Sequence, residues 1–219
     1  MVKIAAITVL IVCTTAGIVA FSGNTLETKE ETVDGKGTIP VNESATFGGG
    51  CFWCTDAVFQ QLNGVQSVKS GYAGGPMPNP SYRAICSGMT GHAEVVQITF
   101  DPEVISFTNL LEVFWQSHDP TTLNRQGFDI GSQYRSIVLY HNDQQKQSAE
   151  QAIEKLNRAG VFRSPVVTEI APYTEFYEAD PTHQDYYLTN SNGRYCTQVI
   201  EPKLQKIRKV FAELVKPGS

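Results

Sequence analysis

The sequence predicts an α+β fold, a two-layer α/β sandwich with a ferredoxin-like core built on split β-α-β units. Three observations carry that prediction. Strand-like and helix-like stretches alternate along most of the chain. Residues 94–100 alternate with period two, placing Glu94, Val96, Ile98 and Phe100 on one face. Phe107, Leu110, Leu111, Phe114 and Trp115 recur at helical spacing after Ser106, a residue suited to cap the helix start.

In chain order, Ala45–Phe47 is short and apolar and reads as a strand running into the glycines 48–50. A helix follows, with Cys54, Ala57, Val58 and Leu62 on one stripe. Val65–Gly71 reads as the next strand, then Glu94–Phe100 and the helix from Phe107. Ser136–Tyr140 is a strand, Asp143–Arg158 a helix and Pro165–Ile170 another strand. A last amphipathic helix carries Leu204, Ile207, Phe211 and Leu214. Two long Gly- and Pro-rich connections, 71–92 and 118–135, exceed what connectivity requires, and long ordered loops often carry function.

The chain has 219 residues, 41% of them hydrophobic and 18% charged, with a net charge of −5. That balance fits one globular domain and argues against disorder, and an acidic excess offers no footprint for nucleic acid. After Lys3, residues 4–21 are almost continuously apolar, and small residues follow. Residues 1–23 therefore read as a secretory signal peptide or an uncleaved membrane anchor, which predicts an extracytoplasmic or membrane-anchored protein. A lipoprotein reading ranks behind both, because Val12 rather than a small residue precedes Cys13. Residues 24–43 are polar and acidic and read as a flexible linker, which leaves 44–219 as the working domain.

Five cysteines cannot all be paired with one another. Cys13 belongs to the targeting segment, so the domain holds Cys51, Cys54, Cys86 and Cys196. The run GGGCFWC places Cys51 where a strand enters a helix. Free backbone N–H groups and the helix dipole there lower a thiol pKa, which predicts a reactive thiolate, and the glycines let the backbone approach whatever meets the sulfur. Cys54, three residues on, supports two readings of equal weight: half of a redox Cys-x-x-Cys pair, or a continuation of the apolar stripe. Glu94 shares a strand face with Val96, Ile98 and Phe100. Apolar neighbours raise a carboxyl pKa, as a general acid working near neutral pH requires. The loop 126–135 is rich in hydrogen-bonding side chains, including Asp129 and Tyr134, and Tyr82 follows a Pro-Asn-Pro turn. Taken singly, these are turn and packing residues.

Together, GGGCFWC, SGYAGG (70–75), PSYRAICSGMTGHAEVV (80–96), HDPTTLNRQGFDIGSQYRSIV (118–138) and HQDYY (183–187) closely resemble the methionine sulfoxide reductase A family. They span nearly all of the domain in the family's order. The resemblance implies reduction of the S epimer of methionine sulfoxide, free or in oxidised proteins, by a monomer that needs no metal or other cofactor. Cys51 would attack the sulfoxide sulfur and Glu94 would protonate its oxygen. Tyr82, Asp129 and Tyr134 would bind that oxygen, while Phe52 and Trp53 would hold the substrate methyl. The resemblance further implies a sulfenic acid on Cys51 and a disulfide with a resolving thiol. A thioredoxin or thioredoxin-like partner would then reduce that disulfide. Cys196, in Gly193-Arg194-Tyr195-Cys196, is carried over as the resolver on a mobile tail. Its segment departs from the family's Gly-Tyr-Cys by the interposed Arg194. Cys54, where the family often has glycine, is a second candidate resolver, and Cys86 is assigned to packing.

Two other readings compete. A thioredoxin-like oxidoreductase would use Cys51 and Cys54 but has no need of Glu94 and the tyrosine-bearing loops. A zinc module would use Cys51, Cys54, Cys86 and a histidine, for which one Cys-x-x-Cys pair is weak evidence.

Overall fold

The computed structural model describes residues 42–218. The predicted targeting segment 1–23, and the predicted linker apart from its last two residues, lie outside the described residues. The elements in order are β1 (Glu43–Gly49), α1 (Phe52–Gln60), β2 (Val65–Ala73), α2 (Tyr82–Cys86), β3 (Ala93–Phe100), α3 (Phe107–Ser117), β4 (Arg125–Gln126), β5 (Asp129–Ile130), β6 (Ser136–Tyr140), α4 (Asp143–Arg158), β7 (Glu169–Pro172), β8 (Phe176–Glu178), α5 (Tyr186–Asn190) and α6 (Glu201–Val210). A π-helical turn, Cys196–Ile200, runs directly into α6.

The predicted fold class is the observed one. The main sheet has the order β7-β6-β1-β3-β2-β8. Its central four strands, β6-β1-β3-β2, come from two split β-α-β units, the ferredoxin-like arrangement. β1 and β2 flank β3 and are joined through α1, while β3 and β6 flank β1 and are joined through α3. β7 adds in parallel beside β6, and β8 adds antiparallel beside β2. The short pair β4–β5 forms a hairpin of its own.

The period-two pattern of β3 splits its side chains between two clusters. Val96, Ile98 and Phe100 join the large core with Phe47, Phe59, Leu110 and Phe114. Val95 faces the other way, into a smaller cluster with Ala73, Ile137 and Leu139. Phe47 stacks between Phe59 and Phe114, with ring centroids 5.5 and 5.0 Å away. This contact clamps α1 and α3 onto β1, and each ring so buried contributes about 1.5–3 kcal/mol. Ser106 caps α3 reciprocally with Asn109.

Three boundaries differ from expectation. The strand predicted at Pro165–Ile170 forms at Glu169–Pro172. The N–H groups of Val166 and Val167 are engaged by the Asn157 side chain and the Pro120 carbonyl, so pairing with β6 starts only at Glu169. Helix α1 ends at Gln60, before Leu62. Nearly every side chain from Phe52 to Phe59 is buried, so the apolar stripe is in fact most of the helix surface. The last helix ends at Val210, and Phe211 and Leu214 belong to the turns that follow.

Candidate active site

The strand-to-helix junction after β1 places Cys51 at the N-cap of α1, only 8% exposed. The glycines before it make room for the protein's own groups. A Cβ at Gly48 would meet the Glu94 carbonyl and Ile137 at 2.8 Å, and one at Gly50, where φ is +97°, would meet Gln126 at 2.6 Å. The expectation that these glycines serve an approaching ligand is therefore replaced by close packing of β1 on β3, β6 and the 118–135 loop.

Glu94 lies on β3 opposite Tyr72 of β2 and is 4% exposed. Its Oε2 accepts a hydrogen bond from the Phe52 backbone N–H at 3.1 Å. Burial raises its pKa to about 8, while the Phe52 N–H opposes that rise. The carboxyl thus holds its proton at neutral pH, as its sequence context predicts. Tyr82 and Tyr134 both feel the charges of Glu94 and Cys51. Burial first, then Cys86 and only after it Glu94 and Cys51, push Tyr82 up to about 12, while burial followed by Glu94 and Cys51 raises Tyr134.

Cys51 departs from expectation. The neighbouring Cys54 thiol and burial, with the Glu94 charge behind them, push its pKa well above the usual thiol value. Cys51 therefore holds its proton more tightly than its place at a helix start predicts. Cys54 is the thiol that ionises first. Its interaction with Cys51 lowers it to about 7, helped by the Lys203 charge and Tyr195 and opposed by burial and the Asp129 charge. The two readings of Cys54 merge: it is 4% exposed within the core cluster and it is the more acidic partner of a thiol pair.

Cys54 Sγ lies 3.5 Å from the Tyr195 hydroxyl, and that hydroxyl donates to Asp129 Oδ2 at 3.5 Å. Burial raises the Asp129 pKa, and the Tyr195 bond and Lys203 oppose it. Cys51, Cys54, Asp129, Tyr195, Val199 and Lys203 line one pocket of about 540 Å³, whose rim includes the fully exposed Phe128 on the β4–β5 hairpin. Asp129 is thus engaged on the thiol side of the site, where Tyr195 holds it.

Phe52 is 2% exposed, between Trp53, Tyr72 and His183. Trp53 stacks face to face on Tyr186 of α5, centroids 3.7 Å apart and 8° from parallel. Its indole N–H is buried without a partner among the described residues. His183 stacks beside Trp53 and lies 4.5 Å from the Tyr82 ring, so the 183–187 segment lids the aromatic side of the site.

Two cysteine expectations are corrected. Cys196 is not on a mobile tail: it is fully buried in the core cluster, on the π-helical turn. Burial raises its pKa, and the Cys54 charge adds to that rise. Cys86 is exposed and does not pack in the core, because α2 buries Ile85 instead. No group of three potential metal-ligating side chains is assembled among the described residues, which leaves the zinc-module reading without a site. Reasoning from the sequence missed Tyr195, Lys203, Tyr186 and His183. His183 and Tyr186 stood in HQDYY, and Tyr195 beside Cys196. Lys203 carried no signal in its neighbourhood.

Comparison with known proteins agrees with this geometry. The family model described as peptide methionine sulfoxide reductase matches residues 43–215. The peptide methionine sulfoxide reductase MsrA of Leptospira borgpetersenii serovar Hardjo-bovis is 55% identical over 81% of this chain and 99% of its own length. That of Sulfolobus acidocaldarius is 56% identical over 78% of this chain and 96% of its own. Among solved structures, methionine sulfoxide reductase A of Corynebacterium diphtheriae superimposes with a TM-score of 0.63 at 36% identity, covering 70% of this chain and 77% of that one. The reduced form of Mxr1 from Saccharomyces cerevisiae also gives 0.63, at 34% identity, covering 71% and 89%.

Proposed function

The chain belongs to the peptide methionine sulfoxide reductase family and reduces methionine sulfoxide; on that premise we propose how its residues do so, and on which epimer. The observation that carries the reading is the buried Glu94 carboxyl accepting the N–H of Phe52, the residue next to Cys51.

The substrate is the S epimer, free or in oxidised proteins, and the product is repaired methionine. The Cys51 sulfur attacks the sulfoxide sulfur as its thiol proton departs. Glu94 delivers a proton to the sulfoxide oxygen, which turns a poor oxyanion into a hydroxyl. That hydroxyl ends on Cys51 as a sulfenic acid, methionine leaves, and Glu94 regains a proton, so the step balances. Tyr82 and Tyr134, each close enough to sense both Cys51 and Glu94, orient the oxygen. Phe52 and Trp53 form the apolar side that takes the methyl. Methyl on one side and oxygen on the other is an arrangement that sorts epimers at sulfur.

The sulfenic acid is resolved by Cys54. Its place in the same pocket as Cys51 and its lowered pKa support this over Cys196, which is fully buried and does not line that pocket. The Cys51–Cys54 disulfide is reopened by thiol–disulfide exchange with a thioredoxin-type dithiol, which the pocket's open rim would admit. The apolar run 4–21 after Lys3 supports an extracytoplasmic or membrane-anchored location.

The test is an assay on separate S- and R-sulfoxide substrates with thioredoxin and its reductase. Reduction of S alone, abolished by Cys51→Ser, is expected. Turnover of both epimers, or activity retained without Cys51, overturns the reading.

A further inference from the structure

The helical run through the π turn and α6 presents Tyr195, Val199 and Lys203 at steps of four residues along one wall of the thiol pocket. Tyr195 reaches Cys54 directly. Lys203, two turns on, is a half-buried residue lining the same space and forms no salt bridge among the described residues. It is the one cation among the side chains lining that pocket.

From this placement we propose that Lys203 is a positioning residue for the second half of the reaction: it holds Cys54 as a thiolate ready to attack Cys51. The inference rests on the reading of Cys54 as resolver and says what makes it one.

Hydrogen bonding from Cys51 and Tyr195 favours a negative sulfur at this position, while burial and the Asp129 charge oppose one. The groups facing Cys54 are Cys51 at the start of α1, Glu94 on β3, Asp129 on β5, and Tyr195, Cys196 and Lys203 from the C-terminal helical run. Glu94 is protonated at neutral pH, and of these groups only Lys203 carries a positive charge. Its charge lowers the Cys54 pKa and also offsets the burial of Asp129. A thiolate beside Lys203 attacks the sulfenic sulfur of Cys51. The S–S bond forms, the S–O bond breaks and hydroxide leaves. The proton that had left Cys54 and this hydroxide make one water, so no further reductant is consumed at this stage. Cys54 is oxidised and the sulfenic sulfur is reduced by the same amount.

The first measurement uses the full chain carrying Cys51→Ser, in which the tryptic peptide of Cys54 holds a single thiol. Alkylation of that peptide by iodoacetamide is followed against pH by mass spectrometry, with and without Lys203→Met or Lys203→Arg. Loss of the charge is expected to raise the midpoint by about one pH unit, and arginine to restore most of it. Equal midpoints in all three proteins overturn the proposal. The second measurement follows formation of the Cys51–Cys54 disulfide after one turnover in the absence of a reductant. With Lys203→Met it should be about tenfold slower at pH 7 and recover at pH 9, because one unit of pKa is one decade of thiolate. Lys203→Gln gives a second neutral variant should the methionine perturb folding. A defect that pH does not relieve marks a merely structural role and overturns the proposal. A first disulfide between Cys51 and Cys196 instead sinks the resolver reading, while the alkylation midpoint still reports on Lys203 alone.

Discussion

The Phe52 backbone N–H donates to the Glu94 carboxyl across 3.1 Å, so the residue that follows Cys51 is tied to the carboxyl proposed as its acid. This one bond fixes the start of α1 against β3. It also holds Glu94 below the still higher pKa that burial alone would produce.

Glu94→Gln keeps the acceptor for the Phe52 N–H and removes the proton donor. The rate of methionine formation in a single turnover should fall by about 100-fold or more at pH 7. In the parent protein that rate should decline as pH rises through about 8, where Glu94 loses its proton. The variant should lack this limb. A variant rate near the parent's, or an unchanged high-pH limb, removes Glu94 as the acid.

Cys54→Ser and Cys196→Ser separate the two thiols. After one turnover without reductant, Cys196→Ser should still form a disulfide between Cys51 and Cys54, read by peptide mass spectrometry. Cys54→Ser should instead accumulate the sulfenic acid, trappable by dimedone, and should lose most of its thioredoxin-driven turnover. A disulfide to Cys196 at the parent rate in Cys54→Ser contradicts the assignment.

Gly50→Ala places a methyl where the backbone has φ of +97° and where Gln126 lies 2.6 Å away. Backbone strain at such a residue costs about 1–3 kcal/mol. Gln126 ties the loop to Asp119 and pairs with Asp129 in the β4–β5 hairpin, so the collision should displace Asp129 too. Both a lower denaturation midpoint and slower disulfide formation are expected. Stability equal to the parent's would show that the loop yields freely.

Asp56, on the same helix as the cysteines, is 1% exposed, and burial raises its pKa to about 7, against the hydrogen bonds from Gln60. The folded protein therefore holds this proton more tightly than the unfolded chain does. Its contribution to stability falls as pH rises from about 4 to 7 and stays low above that. Asp56→Asn abolishes this slope and should be more stable than the parent at pH 8 by about 2 kcal/mol, with little difference at pH 4. Urea titrations at both values check it. A variant that is less stable at pH 8 shows that Gln60 and its neighbours need the carboxylate.

The elements legible in the sequence are those whose signal is local. Asp143–Arg158 and Ser136–Tyr140 form at the residues where the sequence predicts them, because a helical or apolar stretch is a signal that acts within a few residues. The family motifs led to Cys51 and Glu94, and burial on an apolar strand face was enough to predict the direction of the Glu94 shift. The tertiary structure alone decided which thiol is acidic. Cys51 has the helix N-terminus, yet Cys54, burial and Glu94 together push it up. Cys54 is lowered by its partner thiol and by Lys203 and Tyr195, residues some 140 positions away in the chain. Long-range Coulomb terms and desolvation depend on what is folded against a group, so no local pattern announces them. Cys196 follows the same rule: as a sequence position it resembles a mobile resolver, and only packing of the π turn into the core makes it a buried thiol.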